Sequence, residues 1–321
     1  MAETLGHYKL LERVGAGGLG QVYRARDTKV GRTVLIKLVG TPIAGRPDLR
    51  ADFLADARRA CAVSHPNIAA LFDAADEPDG LFLAIEYVHG EPLGRAIGGR
   101  PLNPRRSLDI AIQLADGLAE AHALSVLHLD ICPANIVLTS RGMTKLLDLG
   151  LSTWTNGGKA RRAAALALVS GAEVQGTCVP YLSPEQARGE VADELSDVFS
   201  LGSVLFEMLT GRLAFPGSTP MDQARGVLNA TPPPPSHLNG EVPVELDELV
   251  ARALAKNREA RPASAASLAA ELRAVAAVLD IRASEQEPPE VAPPAPESRW
   301  PLAVAVIAVA IVLIAWFLFR R

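Results

Sequence analysis

The chain has only three cysteines among its 321 residues, Cys61, Cys132 and Cys178, and no CxxC pair. That spacing suggests neither a zinc site nor a disulfide framework, and it suits a reducing cytoplasm. Aromatic residues are scarce, at 5%. With abundant alanine the composition favours helices and carries no functional clue. The net charge is only −4, so no excess of positive charge marks a nucleic-acid partner. Met1 to Leu11 lacks an apolar run, so no signal peptide is expected there. No internal repeat is apparent.

One feature is present in full. Leu302 to Phe319 is an unbroken uncharged stretch, LAVAVIAVAIVLIAWFLF. With Trp300 and Pro301 it reaches the about 20 residues that cross a hydrocarbon core. Trp300 and Trp316 stand near its ends, and Arg299, Arg320 and Arg321 bracket it, as interfacial anchors do. A buried core helix is the alternative, but such helices seldom run this long without a polar side chain. A single transmembrane helix over 300–319 is therefore expected, anchoring the protein to the lipid bilayer at its C-terminal end. Residues 282–299 are rich in proline and glutamate. They read as a solvated spacer that cannot bury enough apolar surface to fold.

Ahead of that spacer the pattern changes along the chain. Tyr8 to Val14, Gln21 to Ala25, Thr33 to Val39 and Leu81 to Val88 read as strands. Asp48 to Val63 reads as a helix capped at or near Asp48. Apolar residues recur at helical spacing from Ser107 to His122, and again over 197–210, 219–229, 243–256 and 264–281. Residues 152–176, rich in alanine, glycine and serine, show no period and read as a long loop.

Four short motifs follow one another between residues 15 and 150. Gly15, Gly17, Gly20 and Val22 form GxGxxGxV. Glycines let backbone approach phosphate oxygens. The same spacing opens a helix in dinucleotide folds, but here the following residues, QVYRARDTKVGRTVLIK, read as strand, turn, strand. Lys37 ends the apolar strand Val34 to Lys37, where an inward ammonium is costly unless it meets an anion. Asp130 and Asn135 lie in Val126 to Asn135, and Asp148 heads Asp148-Leu149-Gly150. Together they supply a phosphate cover, a cation, a base and two metal ligands, the set that phosphoryl transfer from ATP needs.

In this order the motifs resemble those of bacterial-type serine/threonine protein kinases, over about residues 8–275. The resemblance implies an α+β, two-lobed fold over 1–281, with a small antiparallel β lobe at about 8–88 and a larger helical lobe at about 92–281. It implies Mg²⁺ and ATP as cofactors and protein Ser/Thr hydroxyls as acceptors, the chain itself included. Lys37 would hold the α- and β-phosphates and pair with Asp56 of the following helix. Asp130 would orient the acceptor hydroxyl, and Asn135 and Asp148 would ligate Mg²⁺. The backbone of Glu86 to Val88 would hold adenine, with Ile85 behind it. Glu185 of Ser183-Pro184-Glu185 would pair with Arg261, Asp197 would hold the catalytic loop, and Thr177 would contact Asp130. The kinase body would be cytoplasmic, where ATP is.

Three positions depart from the family's pattern: Asp56 replaces glutamate, Leu129 replaces arginine, and Cys132 replaces lysine. The last removes a cation beside the transferring phosphoryl group, a loss of roughly 10²–10³ in rate by analogy with other electrostatic donors. Cys132 itself reads as a small buried filler. The readings are therefore a membrane-anchored Ser/Thr kinase of low turnover, or a catalytically impaired pseudokinase that binds ATP as a scaffold. A transmembrane interaction protein without catalysis would leave the ordered motifs to coincidence.

Overall fold

The computed structural model describes residues 4–152, 154, 178–286 and 300–320. Contacts divide the chain into two units, Met1–Leu279 and Asp280–Arg321.

The first unit opens with four strands, β1 (Thr4–Leu5), β2 (Tyr8–Gly17), β3 (Gly20–Asp27) and β4 (Thr33–Leu38). Two helices follow, α1 (Thr41–Ala44) and α2 (Pro47–Cys61), then β5 (Leu71–Glu77) and β6 (Gly80–Glu86). The six strands form one antiparallel sheet in the order β1-β2-β3-β4-β6-β5. Side chains alternate between its faces. Tyr23, Ala25, Val34 and Ile36 pack with Tyr8, Phe82 and Ala84 in a cluster on one face. Register pairs Tyr23 with Ile36 and Val22 with Lys37. Lys37 therefore turns to the face opposite Ile36, the same face as Val22. β6 lies between β4 and β5 and is buried from Leu81 to Ile85, which explains its continuous apolar sequence. β5 has no counterpart in the sequence reading.

α2 begins at Pro47 in the first helical turn, behind Arg46, and has no side-chain cap. This corrects the expected start at Asp48, which lies instead in the first turn, where a carboxylate suits the helix dipole. Phe53, Ala57 and Ala60 form its buried stripe, at helical spacing.

A short strand β7 (Glu91–Pro92) and helix α3 (Leu93–Ile97) lead into α4 (Pro104–Ala123). Asn103 caps α4 by accepting hydrogen bonds from the Arg105 and Arg106 backbone amides. Strands β8 (Ile136–Leu138) and β9 (Thr144–Leu146) complete a three-stranded sheet with β7. The remaining helices of this unit are α5 (Pro184–Arg188), α6 (Glu194–Thr210), α7 (Pro220–Asn229), α8 (Pro235–Leu238) and α9 (Val244–Ala253), followed by α10 (Ala265–Gln286). α6 is buried along almost its whole length and is held at its start by a capping box between Asp193 and Ser196. A small sheet-built lobe and a larger helical lobe thus form as expected.

One boundary here differs. α10 runs on to Gln286, into residues read as spacer. The loop expected over 152–176 and the spacer beyond Gln286 lie outside the described residues, apart from Ser152 and Trp154.

In the second unit the expected C-terminal helix forms as α11 (Trp300–Phe319). Its side chains at 301–303 are outside the described residues. Among the described residues no helix is long and apolar enough to cross a membrane.

Candidate active site

The glycine segment forms the β2–β3 hairpin rather than the mouth of a helix. Gly15 pairs with Val22 and Gly17 with Gly20 across it. A methyl group built on Gly15 or Gly17 meets nothing within 4 Å, so the backbone there is open to a ligand's close approach. Gly20 has φ 145°, and a Cβ there would stand 2.1 Å from the Leu38 carbonyl oxygen. No other residue fits that position.

The small sheet brings the other motifs together. β8 starts directly after Asn135, and β9 ends two residues before Asp148. Ile136 and Leu146 are register partners, and the Leu147 amide donates to the Asn135 carbonyl at 2.8 Å. The two would-be metal ligands therefore come from the ends of adjacent strands. Lys37 Nζ reaches Asp148 Oδ1 at 2.5 Å, which ties the sheet of the small lobe to this floor. Asn135 Nδ2 donates to the Asp130 carbonyl at 2.8 Å and to its Oδ2 at 3.1 Å. The amide oxygen of Asn135 remains as an oxygen donor. Leu129 and Asp148 both hold left-handed backbone conformations, φ 64° and 62°, a local cost accepted at functional sites.

The catalytic-loop backbone is fixed from below. Asp197 accepts from the His128 amide at 2.9 Å, from the Leu129 amide at 2.6 Å and contacts His122 Nε2 at 2.9 Å. His128 takes the Asp130 amide on Nδ1 and points Nε2 at the Leu147 carbonyl, 2.7 Å away. That arrangement sets the proton on Nε2. Glu185 and Arg261 form a two-pronged pair at 2.8 and 2.9 Å, both side chains at most 1% exposed. The roles expected of Asp197 and of the Glu185–Arg261 pair hold. Burial alone would raise the Glu185 carboxyl, but Arg261 and the Ser196 hydroxyl outweigh it and hold the group at about 2. Burial pushes the Asp130 carboxyl the other way, up to about 6, with the Asp148 charge adding to it and His128 and Asn135 opposing it.

Two expectations fail. Lys37 does not pair with Asp56. The Asp56 carboxylate is taken by Arg59 of its own helix and by the Trp154 indole N–H at 2.8 Å. Its short side chain reaches these neighbours, and Asp148 takes Lys37. Cys132 is no inert filler either, because it is bonded to Cys178 with Cα atoms 6.0 Å apart. A separation of 46 residues leaves no sequence signal for that pair. Sequence reasoning also missed Trp154 and Gln186, whose Nε2 donates to the Leu129 carbonyl at 2.8 Å.

Glu86 ends β6, and its amide donates to the Ala70 carbonyl. Its side chain is held by Lys145 at 2.8 Å. Val88, two residues on, is partly buried. Ile85 lines a small cavity with Ala60, Ile68, Leu71, Asp148 and Leu149. Thr177 lies outside the described residues.

The protein kinase domain family matches residues 8–272. The chain belongs to that family. Over 270 residues this kinase domain is 37% identical to the serine/threonine-protein kinase PknB of Mycolicibacterium smegmatis, with 83% of this chain and 42% of that protein covered. It is 34% identical to PrkC of Bacillus subtilis, covering 84% of this chain and 40% of that kinase. The chain thus spans less than half the length of these curated relatives. The crystal structure of the PknI kinase domain of Mycobacterium tuberculosis superposes with a TM-score of 0.65 at 23% identity, covering 85% of this chain and 98% of that one. At that identity the likeness speaks for the fold.

Proposed function

We propose that the chain transfers the γ-phosphate of Mg²⁺·ATP to Ser or Thr hydroxyls of proteins. The supporting observation is a pair of contacts, from Lys37 to Asp148 and from Asn135 to Asp130, with Lys37 in register with Val22 of the open-glycine hairpin. The donor set fits the cofactor: carboxylate and amide oxygens suit Mg²⁺, and a lysine and free backbone suit phosphates. Asp148 and Asn135 would hold the ion, Lys37 the α- and β-phosphates, and the backbone of Glu86 to Val88 the adenine. Bound Mg²⁺ would neutralise charge on the phosphates. Asp130 accepts the acceptor hydroxyl's hydrogen bond and its proton, kept in place by Asn135 and by the loop that Asp197 anchors. Calorimetry with Mg²⁺·ATP tests the site. Lys37→Met should weaken uptake at least about tenfold, as loss of a charge-assisted contact does. Equal affinity would remove Lys37 from the site.

Turnover is proposed to be slow, because Cys132 supplies no cation beside the transferring group. Cys132→Lys should then transfer faster than Cys132→Ser, which equally lacks the bond to Cys178, and a rate no higher than that of Cys132→Ser removes that explanation. The pseudokinase alternative draws on the same structure. Asp56 is occupied by Arg59 and Trp154, and Lys37 is paired with Asp148. It predicts nucleotide uptake with no transfer above that of Asp130→Asn.

We also propose that α11 lies in a bilayer and that the kinase body faces the cytoplasm. α11 has 20 residues, and its described side chains from Val304 onward are exposed. A helix of that length rises about 30 Å, the thickness of a hydrocarbon core. Counted only from Val304 the run falls short of a span. The sequence from Leu302 carries it to the needed length.

A further inference from the structure

Cys132, Cys178 and Asp130 form the one group of metal-capable side chains found among the described residues, each with a ligand atom within 4.8 Å of the others. Their segments come from the catalytic loop and from 46 residues further on. We propose that, once the Cys132–Cys178 bond is reduced, the two thiolates and the Asp130 carboxylate bind a thiophilic divalent cation of the Zn²⁺ class.

The geometry suits such an ion. Tetrahedral Zn²⁺ with Zn–S near 2.3 Å sets its two sulfurs about 3.8 Å apart. Two thiols released from a disulfide move to about that separation, and the 6.0 Å between Cα atoms permits it without backbone change. The donor types matter as much. Two sulfurs select Zn²⁺ over Mg²⁺, whereas Asp148 and Asn135 offer only oxygen. Cys132 is fully buried and Cys178 partly so. Two thiolates beside the partly buried Asp130 carboxylate would be costly without a cation between them. Asp130 is also oriented from outside the cluster by Asn135 Nδ2 at 3.1 Å, as supported metal ligands are, and it accepts from the backbone amide of Cys178. Three protein ligands leave the fourth position free for water.

The consequence for transfer rests on the reading of Asp130 as the hydroxyl's proton acceptor. A cation on that carboxylate takes it from the acceptor. Metal uptake itself does not depend on that reading, so the two are tested separately.

The full chain in detergent is reduced with a phosphine. The phosphine takes the oxygen of one water, and the two sulfurs take its protons. Co²⁺ is then titrated in without oxygen as a spectroscopic probe. The expected result is a thiolate-to-cobalt charge-transfer band and tetrahedral ligand-field bands, both abolished by Zn²⁺. The unreduced chain should show neither, and Cys61→Ser should show both. Asp130→Asn should keep the charge-transfer band and weaken Co²⁺ uptake at least about tenfold. Absence of the band from the reduced chain, or its survival in Cys132→Ser/Cys178→Ser, overturns the site. A second measurement needs no variant and does not depend on how one folds. Zn²⁺ should slow alkylation of Cys178 at least about tenfold and leave Cys61 unchanged. Equal slowing at both, or at neither, also overturns it. Where the bands appear, Zn²⁺ should inhibit transfer reversibly. Inhibition that a chelator does not reverse would contradict metal binding as its cause.

Discussion

Asp130 is the side chain on which the proposed transfer turns. Its carboxyl, pushed up to about 6 by burial, keeps its proton below that pH. A protonated acid cannot take the hydroxyl's proton, so transfer should rise through about pH 6 and then level off. Initial rates at saturating Mg²⁺·ATP test this, and a flat profile across that range contradicts it. The Glu185–Arg261 pair makes a prediction about stability. The Glu185 carboxyl falls from 4.5 to about 2 on folding, so the folded state favours its charged form. That contribution is on the order of 3 kcal/mol, present above about pH 4.5 and lost as pH falls towards 2. Urea midpoints measured against pH should fall over that interval, and Glu185→Gln should flatten the fall. These residues were legible because each sits in a motif whose spacing announces it. Cys178 was not, because its partner lies 46 residues away in sequence and no spacing pattern links the two. Asp56 was legible as a position but not in its contacts. A carboxylate one methylene short is captured by whatever lies nearest, here Arg59 and Trp154.

At the scale of elements, α2 is fastened to the stretch after Asp148 through Trp154. The indole hydrogen bond to Asp56 is joined by an edge contact to Phe53, with ring centroids 5.5 Å apart. Trp154→Phe should cost about 1.5–3 kcal/mol, the range for a hydrogen bond to a charged group. Asp56→Asn should cost a similar amount, and the double variant less than the sum. Strict additivity in denaturant titrations would show that the two do not act together. The strong periodic helices, α4, α6, α7 and α9, were legible almost to their ends. β5 was not. Its sequence, LFDAADE, is poor in strand-forming residues, and pairing with β6 holds it extended. The end of α10 was missed for the opposite reason. Alanine, serine and glutamate continue the helix past the point where the nearby prolines predict its end.

At the scale of the whole molecule, two units with different chemistry share one chain. The first, to Leu279, carries the entire candidate site, and the second, from Asp280, carries an exposed apolar helix. If that helix lies in a bilayer, the full chain should float with lipid vesicles in high salt, and deletion of 300–321 should leave it at the bottom of the gradient. Flotation of the truncated chain would place the lipid contact elsewhere. The central claim is phosphoryl transfer by the floor that Lys37, Asp130, Asn135 and Asp148 build. Its most direct test is transfer of labelled γ-phosphate by the full chain, to itself or to an acceptor protein, beside Asp130→Asn. The account predicts label on serine or threonine at a rate about 10²–10⁴ above the variant. Label at the same rate in both, or in neither while Mg²⁺·ATP binds, would contradict it.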